Sequence, residues 1–97
     1  MKIICYYNKN LKMSEGKLAA QVGHVCKSIG FTEGFNFDYP DDCKEEDDII
    51  VVLGLRENKF KEKLKEYEDK NSTHIQEDLG YTEVEKGTIT CFGYIEN

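Results

Sequence analysis

Apolar positions fall along this chain in two continuous runs and two helically spaced stripes. Lys2 to Tyr7 (KIICYY) is β-branched and aromatic, and its near-continuous apolarity predicts a central strand covered on both faces. Ile49 to Leu55 (IIVVLGL) reads the same way, as a second buried strand. Between them, MSEGKLAAQVGHVCKSI places Leu18, Val22, Val25 and Ile29 at helical spacing. Ser14 is the expected N-cap, and the helix is expected to end near Ile29 with Gly30 as C-cap. Glu57 to Lys70 sets Phe60, Leu64 and Tyr67 on one stripe, and its remaining charges form a solvated face. Ser72 to Gln76 and Thr88 to Ile95 complete the set as strands. The order β-α-β-α-β-β implies crossover connections, an α/β fold and a mainly parallel sheet. The last strand follows a short turn-rich link and is expected to run antiparallel.

A chain of 97 residues suffices for one small domain, spanning 1–97. No apolar run is long enough to cross a bilayer, and MKIICYY is too short for a signal peptide, so a cytoplasmic protein is expected. The four cysteines, Cys5, Cys26, Cys43 and Cys91, include no C-x-x-C pair, which argues against a disulfide framework or a structural zinc. Cys5 and Cys91 sit within predicted strands, as small core residues. Cys26 lies two residues from His24, a helical spacing that points the two apart and disfavours a Cys–His nucleophile pair.

The net charge of −6 argues mildly against nucleic acid, but the charge is unevenly placed. Residues 1–30 hold five Lys against one Glu, whereas residues 31–48 hold one Lys against eight acids. One basic face can still attract a polyanion. The segment 31–48 combines Phe31, Phe35, Phe37 and Tyr39 with the only proline and a run of acids. It reads most simply as a surface loop pinned by its aromatics, the alternative being a lid or partner-binding segment.

Candidate chemistry gathers in two places. In the first helix, Lys17, Gln21 and His24 recur at spacings of four and three and so share one face. Before the last strand, Asp78, Thr82 and Thr90 bring a carboxylate and two hydroxyls to a turn beyond a strand end. If those strand ends adjoin, Lys17 faces Asp78 and each holds the other ionised. Singly, every one of these residues has an ordinary structural explanation. Gly16-Lys17 lacks the rest of a phosphate-binding loop, Asp78 can form a turn, and a lone His24 is more often structural. His74 is likewise expected as a half-exposed strand residue. Lys17 in a first turn opposes the helix dipole, which favours an anionic partner for it.

Together the two segments resemble the type 2 peptidyl-tRNA hydrolases. The first, Lys12 through His24, is similar to that family's K-M-x-x-G-K-x-A-A-Q-x-x-H. The second, Asp78 through Thr90, is similar to D-x-G-x-T-[QE]-[IV]-x-x-G-[TS]-x-T. The resemblance implies a four-stranded mixed sheet with helices packed on it, lacking the family's C-terminal segment. It implies a cofactor-independent, metal-free hydrolase of the ester between a peptide and the 3′ ribose of tRNA. By motif position Lys17, Asp78 and Thr82 are the expected catalytic residues. Lys12, Gly16, Gln21, His24 and Thr90 are the expected substrate-binding ones. Tyr81 and Glu83 stand where the family often has Arg and Gln, which predicts weaker phosphate binding there. Peptidyl-tRNA is the expected partner, with no membrane and with a homodimer as a further expectation. The competing readings are a non-catalytic binding domain of the same fold and a hydrolase of small acyl esters.

Overall fold

A computed structural model describes residues 1–33, 48–70, 72–78 and 85–96. The segment 34–47, most of the aromatic–acidic stretch, lies outside the described residues, as do Thr82, Tyr81 and Glu83. Six elements follow in the expected order: β1 (Lys2–Asn8), α1 (Glu15–Glu33), β2 (Ile49–Leu55), α2 (Glu57–Tyr67), β3 (His74–Glu77) and β4 (Ile89–Glu96). They form a four-stranded mixed sheet in the order β2-β1-β4-β3. β1 pairs in parallel with β2, and β4 runs antiparallel to both β1 and β3.

The first crossover steps to one side of β1 and the second returns past it to the far edge. Crossovers of one hand that step in opposite directions put their helices on opposite faces. α1 accordingly lies over β4, β3 and β1, and α2 over β1 and β2. The strands' side-chain alternation divides the core in two. Ile3, Cys5 and Cys91 meet Val25 and Ile29 of α1, whereas Ile4, Phe92 and Tyr94 meet Phe60 of α2. The second layer is aromatic: Phe60 packs on Phe92 with ring centroids 5.5 Å apart, and Tyr67 stacks on Tyr94 at 4.1 Å. α1 sits close because Gly93 offers no side chain. A Cβ there would lie 2.7 Å from Val25 Cγ1 and 2.9 Å from Cys5 Sγ.

Two expectations are corrected. α1 does not stop near Ile29 but continues to Glu33, with Gly30 inside it and no positive φ there. Glycine permits a left-handed C-cap without compelling one. β2 is not a buried strand: it is an edge strand on which Ile49, Ile50, Val52 and Leu53 are exposed. Its apolar run resembles that of β1, but β1 has strands on both sides and helices over both faces.

Candidate functional site

The carboxyl ends of β1 and β3 and the start of β4 meet the first turn of α1. Beyond β1, a 3-10 turn at Lys9–Leu11 is capped by Asn8, whose side chain accepts the Asn10 N–H at 3.0 Å. Asn10 in turn accepts the Glu57 N–H at 2.8 Å, tying this connection to the start of α2. Lys12 takes a left-handed conformation, φ 50°, uncommon outside glycine, and so reverses the chain into α1. Ser14 caps the helix as expected, accepting the Lys17 N–H at 3.2 Å.

That cap places Lys17 in the first turn, where a cation opposes the helix dipole and needs an anion. Asp78 supplies it, with Lys17 Nζ 2.5 Å from Asp78 Oδ2. The Asp78 backbone is pinned from both sides: its N–H donates to Thr88 O at 2.9 Å, and its carbonyl accepts the Gly87 N–H at 2.8 Å. Gly87 has φ +86°, a conformation costly for other residues, and this lets the chain fold back onto Asp78. The Asp78 side chain is 1% exposed and that of Lys17 13%, so Lys17 forms the outer wall of the pair.

One turn further along α1, Thr90 Oγ1 donates to Gln21 Oε1 at 2.6 Å, and both residues are buried. The pairing register explains how Thr90 arrives there. Gln76 pairs with Cys91 but Glu77 with Ile89, leaving Thr90 as the extra residue of a bulge. A bulge re-aims a side chain that strict alternation would send to the other face. Thr90 therefore joins Cys91 beneath α1, while Ile89 packs in the α2 layer.

The remaining expected residues are distributed around the pair. Lys12 lines a depression of about 240 Å³ with Tyr7, Lys9 and Leu18. His24, exposed, lines a larger one of about 460 Å³ with Lys27 and His74. Gly16 is exposed, and an added Cβ would meet no atom within 4 Å. The structure thus brings together Lys17 with Asp78 and Gln21 with Thr90. It sets Lys12 and His24 in separate depressions, and Thr82 lies outside the described residues. His74, beside His24, and Gln76, whose carbonyl accepts from Thr90 Oγ1 at 3.3 Å, were missed as neighbours of these residues. Their spacing from Asp78, four and two residues, puts them on its face of the strand and was the available signal. Among the described residues no group of three or more His, Cys, Asp or Glu is arranged to hold a metal ion.

A mixed α/β sheet with a carboxylate–ammonium pair beyond the ends of its parallel strands places this chain among proteins that bind or react at strand ends. Comparison with known proteins is more specific. The family Peptidyl-tRNA hydrolase PTH2 matches residues 1–95. A peptidyl-tRNA hydrolase of Thermoplasma acidophilum is 32% identical over 95 residues, covering 95% of this chain and 81% of the relative. Another from Methanothermobacter thermautotrophicus is 33% identical over 97 residues, covering 96% and 83%. A third, from Methanopyrus kandleri, is 35% identical over 88 residues, covering 87% and 74%. The chain belongs to the peptidyl-tRNA hydrolase PTH2 family.

Proposed function

We propose that the site between α1 and β3 hydrolyses the ester joining a peptide to the 3′ ribose of tRNA, with Lys17 and Asp78 as its reactive pair. One observation carries the reading. Two sequence-distant motifs converge on one ion pair, and the outer partner is also the more exposed one. Lys17 is then the movable group. As charge develops on the ester carbonyl, its ammonium shifts from the carboxylate to the oxyanion, beside the first amides of α1. Asp78 is released to accept a proton from the attacking water. The water oxygen bonds to the carbonyl carbon, and the bond to O3′ breaks with its electron pair leaving on O3′. The proton passes from Asp78 to O3′. The products are a peptide acid and tRNA with a free 3′ hydroxyl.

Gln21 and Thr90 act as positioning residues, locking α1 to the bulge of β4 so that Lys17 keeps its register. Lys12, Gly16 and Thr82 are assigned to holding the ester and its terminal ribose. The test is release of tRNA from purified peptidyl-tRNA. The wild-type chain is expected to turn over, with kcat/KM falling steeply as salt rises, because phosphate contacts release counterions. Turnover unchanged from wild type in both Lys17→Ala and Asp78→Asn would remove the assignment. A small-ester hydrolase would show no such salt dependence.

No described helix is long and apolar enough to cross a membrane. We assign the chain to the cytosol, the compartment of its proposed substrate; fractionation tests this. The homodimer is supported by the exposed apolar residues of edge strand β2. Sedimentation of the full chain as a monomer at all concentrations would dismiss it.

A further inference from the structure

β2 and β3 form the two edges of the sheet, and only one of them is guarded. β3 is four residues long, carries Glu77 and breaks its register between Gln76 and Glu77. A short strand, a charge and a bulge are devices that keep a free edge from pairing. β2 has none of them: IIVVLGL is seven residues long, uncharged, free of proline and in unbroken register with β1. Its outer N–H and C=O groups have no strand beside them among the described residues. Ile49, Ile50, Val52 and Leu53 are between 41% and 56% exposed, and they stand on both faces. Ile50 and Val52 pair with Ile3 and Cys5 of the α1 layer, yet α1 lies over β4, β3 and β1. Ile49 and Leu53 alternate with them on the α2 face.

The strand's two ends carry opposite charges. Asp48 precedes it, and Arg56, the chain's only arginine, follows it in extended backbone with φ −64° and ψ 153°. Both are exposed. Asp48 Oδ1 takes the Met1 ammonium at 2.9 Å, and a carboxylate has a second oxygen to offer. Two copies of one strand pair antiparallel about a residue, because opposed residues must turn their backbone groups the same way. Val52 is the midpoint of Ile49–Leu55. Pairing about it sets Ile49 against Leu55, Ile50 against Gly54, Val51 against Leu53 and Val52 against its own copy. Asp48 of each copy then faces Arg56 of the other, at both ends. A centre at Val51 or Leu53 would instead set Asp48 against Gly54 or Asn58 and leave apolar residues overhanging.

We propose that β2 binds a second copy of this chain, the two strands pairing antiparallel about Val52 and joining two four-stranded sheets into one. The pairing rests on the homodimer reading above and adds where and in what register the copies meet. It gives the outer backbone groups of β2 their partners. It covers the exposed side chains with cross-strand contacts and joins unlike charges at both ends. The same surface patch serves on both copies, as a two-fold interface requires. β3, which leads into Asp78, is the opposite edge of each sheet, so the Lys17–Asp78 pairs lie away from the joined strands.

Sedimentation of the full chain and of two charge reversals tests the pairing. Wild type is expected to dimerise. Arg56→Glu sets acid against acid at both ends, and Asp48→Lys sets cation against cation. Each is expected to weaken dimerisation about tenfold. Mixed in equal amounts, the two variants are expected to form a heterodimer of near wild-type affinity, because one end then holds the native pair and the other the exchanged one. A contact elsewhere on the molecule gives neither the loss nor the rescue. Hydrogen exchange is the second readout: alternate β2 amides are expected to be protected in the wild-type dimer and to exchange in Arg56→Glu. A wild-type dimer that both variants match, or that mixing fails to restore, overturns this interface and leaves the homodimer standing. Wild type that stays monomeric at every concentration removes both, and β2 amides protected in that monomer would give the edge to another part of the chain.

Discussion

Asp78 keeps its carboxylate almost wholly out of water, and Lys17 is the cation that reaches it. Removing one partner of such a pair leaves an uncompensated buried charge, which costs about 3–5 kcal/mol in buried settings. Lys17→Ala should therefore lose stability as well as turnover, with a stability loss toward the lower end because the pair lies at the rim. Asp78→Asn removes the charge while keeping the shape, and should cost turnover with less stability. The double variant should regain stability relative to Lys17→Ala and regain no turnover. Urea unfolding and tRNA release, measured on all three, separate the two roles. A double variant no more stable than Lys17→Ala would show that the ion pair does not carry the stability loss. This pair was legible in the sequence because both residues sit in long, ordered motifs. The burial of Gln21 and Thr90 was not. Strict alternation from Cys91 sends Thr90 to the opposite face, and the extra residue that turns it back leaves no mark in composition or spacing.

Among the elements, the contact of α1 with β4 is a close one. It depends on Gly93, where even a methyl group would meet Val25 Cγ1 at 2.7 Å, Cys5 Sγ at 2.9 Å and the Ile4 carbonyl at 3.1 Å. Overpacking of this kind typically costs about 1–3 kcal/mol. Gly93→Ala should lower the melting temperature and, by lifting α1, loosen the alignment of Lys17 with Asp78. Adding Val25→Ala should recover part of the loss, because it removes one of the clashing atoms. A Gly93→Ala protein as stable as wild type would mean that α1 is free to shift. The elements themselves were readable from periodicity, and the antiparallel return of β4 from its short link. The edge position of β2 was not readable: IIVVLGL and KIICYY are alike in apolar content, and only the path of the two crossovers decides which lies in the middle. The end of α1 was misread because Gly30 looks the same to sequence reasoning inside a helix as beyond it.

Across the whole molecule, both core layers bury weak acids in their protonated forms. Beneath α1, burial, with Cys26 and Cys91 nearby, pushes the Cys5 thiol from 9.0 to about 12. Burial also pushes Cys91 from 9.0 to about 11, although a hydrogen bond with Thr90 lowers it in part. Beneath α2, burial and hydrogen bonding with Tyr67 and Tyr6 raise the Tyr94 phenol well above its ordinary value. These thiols are poor nucleophiles at neutral pH, since the thiolate is the reactive form. The same shifts fix the sign of a pH dependence. Unfolded thiols ionise near pH 9, whereas the folded ones hold their protons to about 11 and 12. Above pH 9 the unfolded state therefore binds fewer protons than the folded state, and stability must fall as pH rises. Below pH 9 these groups contribute no slope. The urea midpoint should thus be insensitive to them up to about pH 9 and decline beyond it. Cys5→Ala combined with Cys91→Ala should reduce that decline, leaving the part due to Tyr94 in the opposite layer. Because β1 and β4 carry residues of both layers, ionisation on either face should unfold the sheet as one unit. Near-ultraviolet signals from the tyrosine layer and the reactivity of the buried thiols should then change at the same urea concentration. A thiol layer that opens first would show that the two faces are not coupled through the shared strands.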